Sequence, residues 1–203
     1  MSTTENLILC LDLSTTSTGW AVIERNTKKL VDFGFIKGSN AGLSKMSYPK
    51  KQLYKMRKLV GEILSVVASF GDRVTNIIIE EVNLHKSRLT GKTLDGMHWI
   101  LLNSMGEEML DKVIFMDSDG PTGWRTRLNL RLTDADRKLN KSRKAANKKI
   151  PKGSTKLPII NKKHLAARYV NGHYGMNFNV DENPNDNDVV DAIGIGISYL
   201  IDK

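Results

Sequence analysis

A stretch of apolar sequence near the end of the chain carries two aspartates three residues apart. Residues 187–200 are mostly apolar, and Asp188 and Asp191 stand near the start of the stretch. Positions i and i+3 share one face of a helix, so a helix here would turn both carboxylates the same way. Two interpretations are open. In the first, the two aspartates stabilise the N-terminus of the helix, as acidic residues generally do. In the second, the pair is half of a metal site whose partners come from elsewhere in the chain.

Two other acids each follow a short, continuous apolar run. Residues 7–11 precede Asp12, and residues 74–79 precede Glu80. Such runs are typical of strands covered on both faces. An amphipathic helix between them predicts that the strands are parallel, which would bring Asp12 and Glu80 to the same edge of the sheet. Glu81 competes with Glu80 for this role, because strand alternation turns the two to opposite faces.

The order of the predicted elements defines the fold class. Three strands joined by short turns are followed by a helix, a strand, a helix from about Thr93, a strand at 112–116, a basic segment and two further helices. This order predicts one α/β domain over residues 1–203. Its five-stranded mixed sheet would have three antiparallel strands, then parallel ones, and helices on both faces.

Positive charge is concentrated in one segment. The chain carries a net charge of +9, and residues 125–163 hold 14 Lys and Arg against two acids, a local charge of +12. This segregation predicts a nucleic-acid-binding insertion rather than an ordinary solvated face. Residues 141–156 have few apolar side chains and are predicted to form a mobile loop. The candidate DNA-binding residues are Arg125, Arg127, Arg131, Lys144, Lys148, Lys149, Lys162 and Lys163.

The cysteine content and the hydropathy of the sequence narrow the possible classes of protein. The single Cys10 lies in an apolar run, which predicts a buried thiol and excludes a disulfide framework or a cysteine-based zinc site. The N-terminus does not have the pattern of a secretory signal, and no apolar stretch reaches transmembrane length. We therefore expect a cytoplasmic, DNA-associated protein without a membrane partner.

Four carboxylates brought together would raise each other's pKa values unless a cation joined them. We predict that Asp12, Glu80, Asp188 and Asp191 bind metal. Oxygen-only ligands favour Mg²⁺, with Mn²⁺ able to substitute, over zinc. Two such ions, roughly 3.5–4 Å apart, are the usual arrangement for phosphodiester hydrolysis.

Three segments resemble the RuvC-type Holliday junction resolvases, which have the ribonuclease H-like fold. Residues 11–23 resemble the opening motif of that family, residues 78–82 its second acidic motif, and residues 188–196 its closing D-x-x-D-A helix. The order of elements agrees from residue 7 to residue 201. A divergent phage or mobile-element member fits best, because residues 131–160 are an insertion relative to bacterial members.

This resemblance implies a dimeric, Mg²⁺-dependent endonuclease that resolves four-way DNA junctions by paired nicks, leaving 5′-phosphate and 3′-hydroxyl ends. Dimerisation would run through the helix that starts near Thr93. Arg125 stands where the family has a Lys. Either Lys162 or Lys163 matches a second basic residue near the scissile phosphate. Lys162 is preferred as a catalytic residue, because Leu165 then takes the family's following apolar position.

Several alternatives stay open at this stage. Asn83 replaces an aromatic residue that the family commonly carries, so base preference is not predicted. Another ribonuclease H-like nuclease, acting on branched DNA, flaps or RNA–DNA hybrid, would share the same motifs. An actin-like ATPase or sugar kinase would need a second Gly-rich hairpin and a duplicated domain. A junction-binding protein that does not cleave would be expected to lack one or more of the four acids, and all four are present.

Overall fold

The computed structural model describes residues 6–81, 88–151 and 153–201, with the side chains of α2 described from residue 91 onward. Its strands are β1 (Leu7–Asp12), β2 (Ser17–Glu24), β3 (Leu30–Lys37), β4 (Val74–Glu80) and β5 (Val113–Met116). Its helices are α1 (Lys50–Phe70), α2 (Arg88–Asn103), α3 (Glu107–Leu110), α4 (Trp124–Arg127), α5 (Asp134–Asn147), α6 (Lys162–Tyr174) and α7 (Pro184–Ile201). A short 3₁₀ turn at Gly71–Arg73 joins α1 to β4.

The strands form one mixed sheet in the order β3-β2-β1-β4-β5. Strand β2 is antiparallel to both β1 and β3. Strands β4 and β1 are parallel, as are β4 and β5. The predicted five-stranded sheet, antiparallel first and then parallel, is confirmed, and so is the common edge at which β1 and β4 end.

Alternation along β1, and along β4 from Ile77 onward, divides the core between the two faces of the sheet. Leu9 and its odd-numbered neighbours in β1 pack with α1 and α2, whereas Cys10 and Ile78 pack with α4, α6 and α7. Successive side chains of a strand point to opposite faces. Asp12 therefore continues the Cys10 side, and Glu80 continues the Ile78 side. Both carboxylates belong to the face covered by α7, where Asp188 and Asp191 lie.

Two glycines allow α7 to lie close against the sheet. A Cβ atom at Gly19, on β2, would stand 1.9 Å from the backbone oxygen of Asp188. A Cβ at Gly196 would stand 2.6 Å from the Ile23 side chain and 2.8 Å from the Cys10 sulfur. Both separations are far below van der Waals contact. The Gly19 contact brings the N-terminal half of α7, with its two aspartates, down to the edge where β1 ends.

The prediction of a mobile loop at residues 141–156 is wrong over its first half. Helix α5 extends through Asn147. The helix begins with a capping box, in which Thr133 and Asp136 each bond the other's backbone N–H. Its side chains then bond to the backbone of residues 157–160 rather than to an apolar surface. Hydropathy periodicity does not detect a helix held in this way.

Asn83 lies outside the described residues. No helix in the described ranges combines the length and the apolar character needed to cross a membrane.

A carboxylate cluster bridged by Arg125

The four predicted acids form one electrostatic cluster. Asp12 has a pKa raised well above its usual range, first by burial and then by the negative charges of Glu80, Asp191 and Asp188. A hydrogen bond between the carboxyl groups of Asp12 and Glu80 adds to this rise. The structure therefore brings together residues from β1, β4 and α7 that are up to 179 positions apart in the sequence.

Asp191 is the most deeply buried of the four acids. Burial raises its pKa to about 6, Arg125 and Lys163 counteract this rise, and Glu80 adds to it. One carboxylate oxygen, Oδ2, accepts a hydrogen bond from Arg125. The other, Oδ1, is buried and has no hydrogen-bond partner among the described residues. An unpartnered buried carboxylate oxygen is costly unless a cation or a donor reaches it.

Arg125 links two members of the cluster. Its Nη1 donates to Glu80 Oε1 at 3.1 Å, and its Nη2 donates to Asp191 Oδ2 at 2.8 Å. Burial disfavours the charged guanidinium, but Asp191 and Glu80 outweigh this effect, and the pKa of Arg125 is raised. The side chain is only 16% exposed. A permanently charged group thus supplies part of the positive charge that the cluster requires.

Trp124 places Arg125. Its ring is fully buried and lies 4.3 Å from the Arg125 guanidinium carbon, and its Nε1 donates to Glu80 Oε1 at 3.4 Å. A Cβ at residue 194 would stand 2.6 Å from the ring, so Gly194 makes room for the indole rather than for the sheet itself. The backbone N–H of Trp124 also bonds to the Asp117 carbonyl just beyond β5. These contacts hold α4 over the end of β4.

Glu80 and Glu81 lie in different surroundings. Glu80 lies in the cluster, whereas Glu81 is exposed and lines a surface hollow with His98 and Trp99. Sequence reasoning missed one neighbour of the cluster. The Asn187 amide donates to Asp188 Oδ1 at 3.4 Å, and its own Oδ1 is buried without a described partner. In the sequence, the only indication that Asn187 belongs to the cluster is its position just before Asp188.

Comparison with solved structures shows which known fold the chain adopts. The structure of T. thermophilus RuvC in complex with a Holliday junction substrate matches with a TM-score of 0.56. The match covers 95% of this chain and 91% of that one at 14% identity.

This chain has the RuvC fold.

A second structure, titled Thermus thermophilus RuvC structure, matches with a TM-score of 0.49 at 14% identity, over 95% of this chain and 92% of that one. No protein-family model and no curated protein sequence matches the chain. The resemblance found in the sequence motifs is confirmed at the level of the RuvC fold, including its ribonuclease H-like mixed sheet.

The basic candidates occupy different places on this RuvC fold. Lys162 is exposed and pairs with Asp119 at 2.7 Å, whereas the charge of Lys163 acts on the pKa of Asp191. Arg127 donates to the Thr122 carbonyl at 3.1 Å, and Arg131 is exposed. The remaining three lie at or just after the end of α5 and line a groove that contains none of the four acids: Lys144, Lys148 and Lys149.

The donor set of the cluster fits a divalent cation chemically. All its ligand atoms would be carboxylate oxygens, which suit Mg²⁺ and Mn²⁺. The buried, unpartnered Oδ1 of Asp191 and the mutual repulsion at Asp12 both call for positive charge. Within the described residues, no three Asp, Glu, His or Cys side chains are already gathered as a metal-ligand group. Arg125 instead holds Glu80 and Asp191 in an ion pair.

Proposed function

We propose that this protein is a metal-dependent endonuclease that resolves four-way DNA junctions by paired nicks. The observation that carries the proposal is the convergence of Asp12, Glu80, Asp188 and Asp191 on one face of the sheet. The fold match to RuvC, whose structure was solved with a Holliday junction substrate, supports the substrate class.

In this proposal the four carboxylates would hold two Mg²⁺ ions, for which Mn²⁺ would substitute. Bound divalent cations would supply the Lewis acid that activates a water molecule and stabilises charge on the leaving 3′ oxygen. The products are 5′-phosphate and 3′-hydroxyl ends. The raised pKa of Asp12 means that this carboxyl group would release a proton on binding a cation, whereas Asp191 is already paired with Arg125.

The basic residues of the cluster have positioning roles in the same proposal. Arg125 already lies against Glu80 and Asp191, so its guanidinium is within reach of a phosphate brought to those acids. We favour Lys163 over Lys162 as the second cation, because Lys163 acts on Asp191 while Lys162 pairs with Asp119. Lys162 then orders the loop that follows β5.

Paired nicks need two active sites, and we propose a homodimer. Helix α2, which includes Thr93, presents Trp99, which is 71% exposed, and Phe115 of β5 is 43% exposed nearby. Large exposed apolar side chains of this kind are typical of protein interfaces. The two copies would then present their carboxylate clusters to opposite strands of one junction.

A substrate panel tests this function. Four-way junction, Y-shaped, flap, linear duplex and RNA–DNA hybrid substrates would be incubated with Mg²⁺ and the nicks mapped on sequencing gels. We expect symmetric nicks near the branch of the four-way junction and little cleavage of linear duplex. Cleavage of the linear hybrid equal to that of the junction would contradict a resolvase and favour another ribonuclease H-like nuclease.

A further inference from the structure

Helix α5 has two polar faces with different surroundings. One face carries Asp136, Asn140, Arg143 and Asn147, and it contacts the rest of the protein. About a quarter turn away, at the same i, i+4, i+7, i+11 spacing, lie Arg137, Lys141, Lys144 and Lys148, all exposed. The buried side chains of the helix are Asp136 and Asn140, so no apolar face holds it in place.

Asn140 and Asn147 each donate one hydrogen bond to, and accept one from, the backbone of a single residue in segment 157–160, as a neighbouring β-strand would. Asn140 donates to the Ile160 carbonyl and accepts from its N–H, both at 2.8 Å. Asn147 makes the same pair of bonds with Leu157, at 2.9 and 2.8 Å. Arg143 donates to the Pro158 carbonyl at 2.8 Å between them. Five hydrogen bonds therefore hold residues 157–160 antiparallel to α5.

An ion pair connects α5 to the part of the molecule that carries the acids. Arg168 of α6 makes two hydrogen bonds of 2.9 Å to the Asp136 carboxylate. Helix α6 packs in turn on α7, which bears Asp188 and Asp191. A helix of 14 residues is marginal alone in water. These polar contacts order α5 and fix its position relative to the carboxylate cluster.

Three lysines on the exposed face are not neutralised by a carboxylate within the part of the chain that the structure describes. Lys141, Lys144 and Lys148 form no ion pair with any carboxylate in the described residues, whereas Arg137 at the start of the row pairs with Asp134 at 2.6 Å. The three lysines line a groove of about 680 Å³ along one side of the helix. We call these three lysines the α5 basic row.

We propose that the α5 basic row binds the sugar-phosphate backbone of a duplex DNA arm, without reading its bases. Seven residues of helix separate Lys141 from Lys148, a rise of about 10 Å, which is close to the roughly 12 Å width of the major groove. The row can therefore contact phosphates on both sides of that groove. This inference rests on the proposed function, in which the arm belongs to the junction that is cut.

The composition of α5 favours DNA over the other large polyanions. A helix that lies on a membrane needs apolar side chains opposite its basic face, whereas α5 has asparagine and aspartate anchors beside it and no aromatic residue. Anchoring also lowers the entropic cost of binding, because the helix that carries the cations is already fixed in place before DNA arrives. The row would thus hold an arm at a fixed distance from the carboxylate cluster.

The test measures binding without cleavage, in EDTA, to a four-way junction and to a linear duplex at several salt concentrations. The row variant is Lys141→Gln with Lys144→Gln and Lys148→Gln. Its control removes the same charge from three exposed lysines elsewhere: Lys29 in the β2–β3 turn, Lys58 on α1, and Lys138 on another side of α5. We expect the row variant to reduce the slope of log K against log salt by about 2.7, at 0.9 per lost phosphate contact, and the control to keep the wild-type slope.

A second variant tests the anchors without changing charge. Asn140→Ala with Asn147→Ala is expected to speed hydrogen exchange of the α5 amides and to weaken binding to duplex DNA. Equal slopes for the row variant and the control would overturn the inference. The inference would also be overturned if the row variant lost binding to a poly-glutamate peptide while its slope of log K against log salt for DNA stayed at the wild-type value. That result would assign the row to an acidic protein partner.

The outcomes for the row and for the proposed function are separable. If the wild-type protein does not cleave junctions but the row variant still lowers the slope, the row stands and the nuclease proposal fails. If the protein resolves junctions while the row variant and its control bind alike, only the row is overturned.

Discussion

Arg125 donates a 2.8 Å hydrogen bond to Asp191, one of the four acids of the cluster. The two residues are 66 positions apart in the sequence and come from α4 and α7. Their side chains are 16% and 9% exposed, so the pair is screened poorly by solvent. The positive charge of Arg125 therefore offsets part of the repulsion among the four acids of the cluster.

Replacing Arg125 with Gln should destabilise the metal-free protein and increase its response to divalent cations. Removing one partner of a buried ion pair costs roughly 3–5 kcal/mol, and bound Mg²⁺ or Mn²⁺ would restore the lost charge. Thermal unfolding with EDTA and with each metal measures both effects. Arg131→Gln, an exposed change in the same segment, is the control. A metal-free melting temperature equal to that of the control would show that Arg125 does not stabilise the cluster.

Glu80 and Glu81 offer a matched pair of substitutions on adjacent positions. Glu80→Gln should lower junction cleavage by on the order of 10²-fold or more, because its carboxylate lies in the cluster. Glu81→Gln should stay close to wild type, since Glu81 is exposed on the other side of the strand. Cleavage rates under single-turnover conditions compare them. Equal losses for both variants would mean that strand alternation does not decide which acid acts.

Gly19→Ala should move the start of α7. The added Cβ would meet the Asp188 carbonyl oxygen at 1.9 Å, so backbone must shift. We expect a loss of roughly 3 kcal/mol in the free energy of unfolding, together with lost cleavage. Gly61→Ala is the control, because its Cβ meets nothing within 4 Å on α1 and should stabilise that helix by about 0.5–1 kcal/mol. A Gly19 variant as stable and active as wild type would contradict the close approach.

The ion pair that anchors α5 predicts a specific pH dependence. Hydrogen bonds from Arg168 and then from the Thr133 backbone hold the pKa of Asp136 well below its usual range. A lowered pKa in the folded state stabilises the protein above the unfolded pKa of about 3.9. That contribution is lost as pH falls toward the folded value.

Urea unfolding of Asp136→Asn and wild type at several pH values measures this contribution. The difference in stability should be constant from pH 5 to 7, to a first approximation, and should shrink below about pH 4. Asp134→Asn, whose side chain is 96% exposed on the same turn, should show little change. A difference that did not vary with pH would remove the ionised Asp136 from the anchor.

The sheet and the positions of Asp12 and Glu80 can be predicted from the sequence, because the side chains of a strand alternate between two faces with a period of two residues. Each apolar run of β1 and β4 ends in an acid, and alternation then determines which face that acid joins. No such rule places Arg125. Its contact with Asp191 depends on how Trp124 packs against Gly194, a tertiary contact between distant segments.

Helix α5 could not be predicted for a different physical reason. Its stabilising contacts are hydrogen bonds from Asn140 and Asn147 to the backbone of residues 157–160, so the helix lacks the apolar stripe that periodicity detects. A segment rich in lysine and poor in apolar residues resembles a solvated loop until its partners are known. The ion pair of Lys162 with Asp119 is likewise a tertiary contact that a sequence motif does not reveal.

The most direct measurement compares wild type and Asp12→Asn on a labelled four-way junction with Mg²⁺, following binding and strand cleavage in the same reactions. Asp12 has its pKa raised by burial and by the other three acids, so its loss removes a member of the cluster while leaving DNA-binding surfaces intact. We predict paired symmetric nicks by wild type, and junction binding without nicking by Asp12→Asn. Mg²⁺-dependent nicking retained by the variant would contradict the assignment of the carboxylate cluster as the active site.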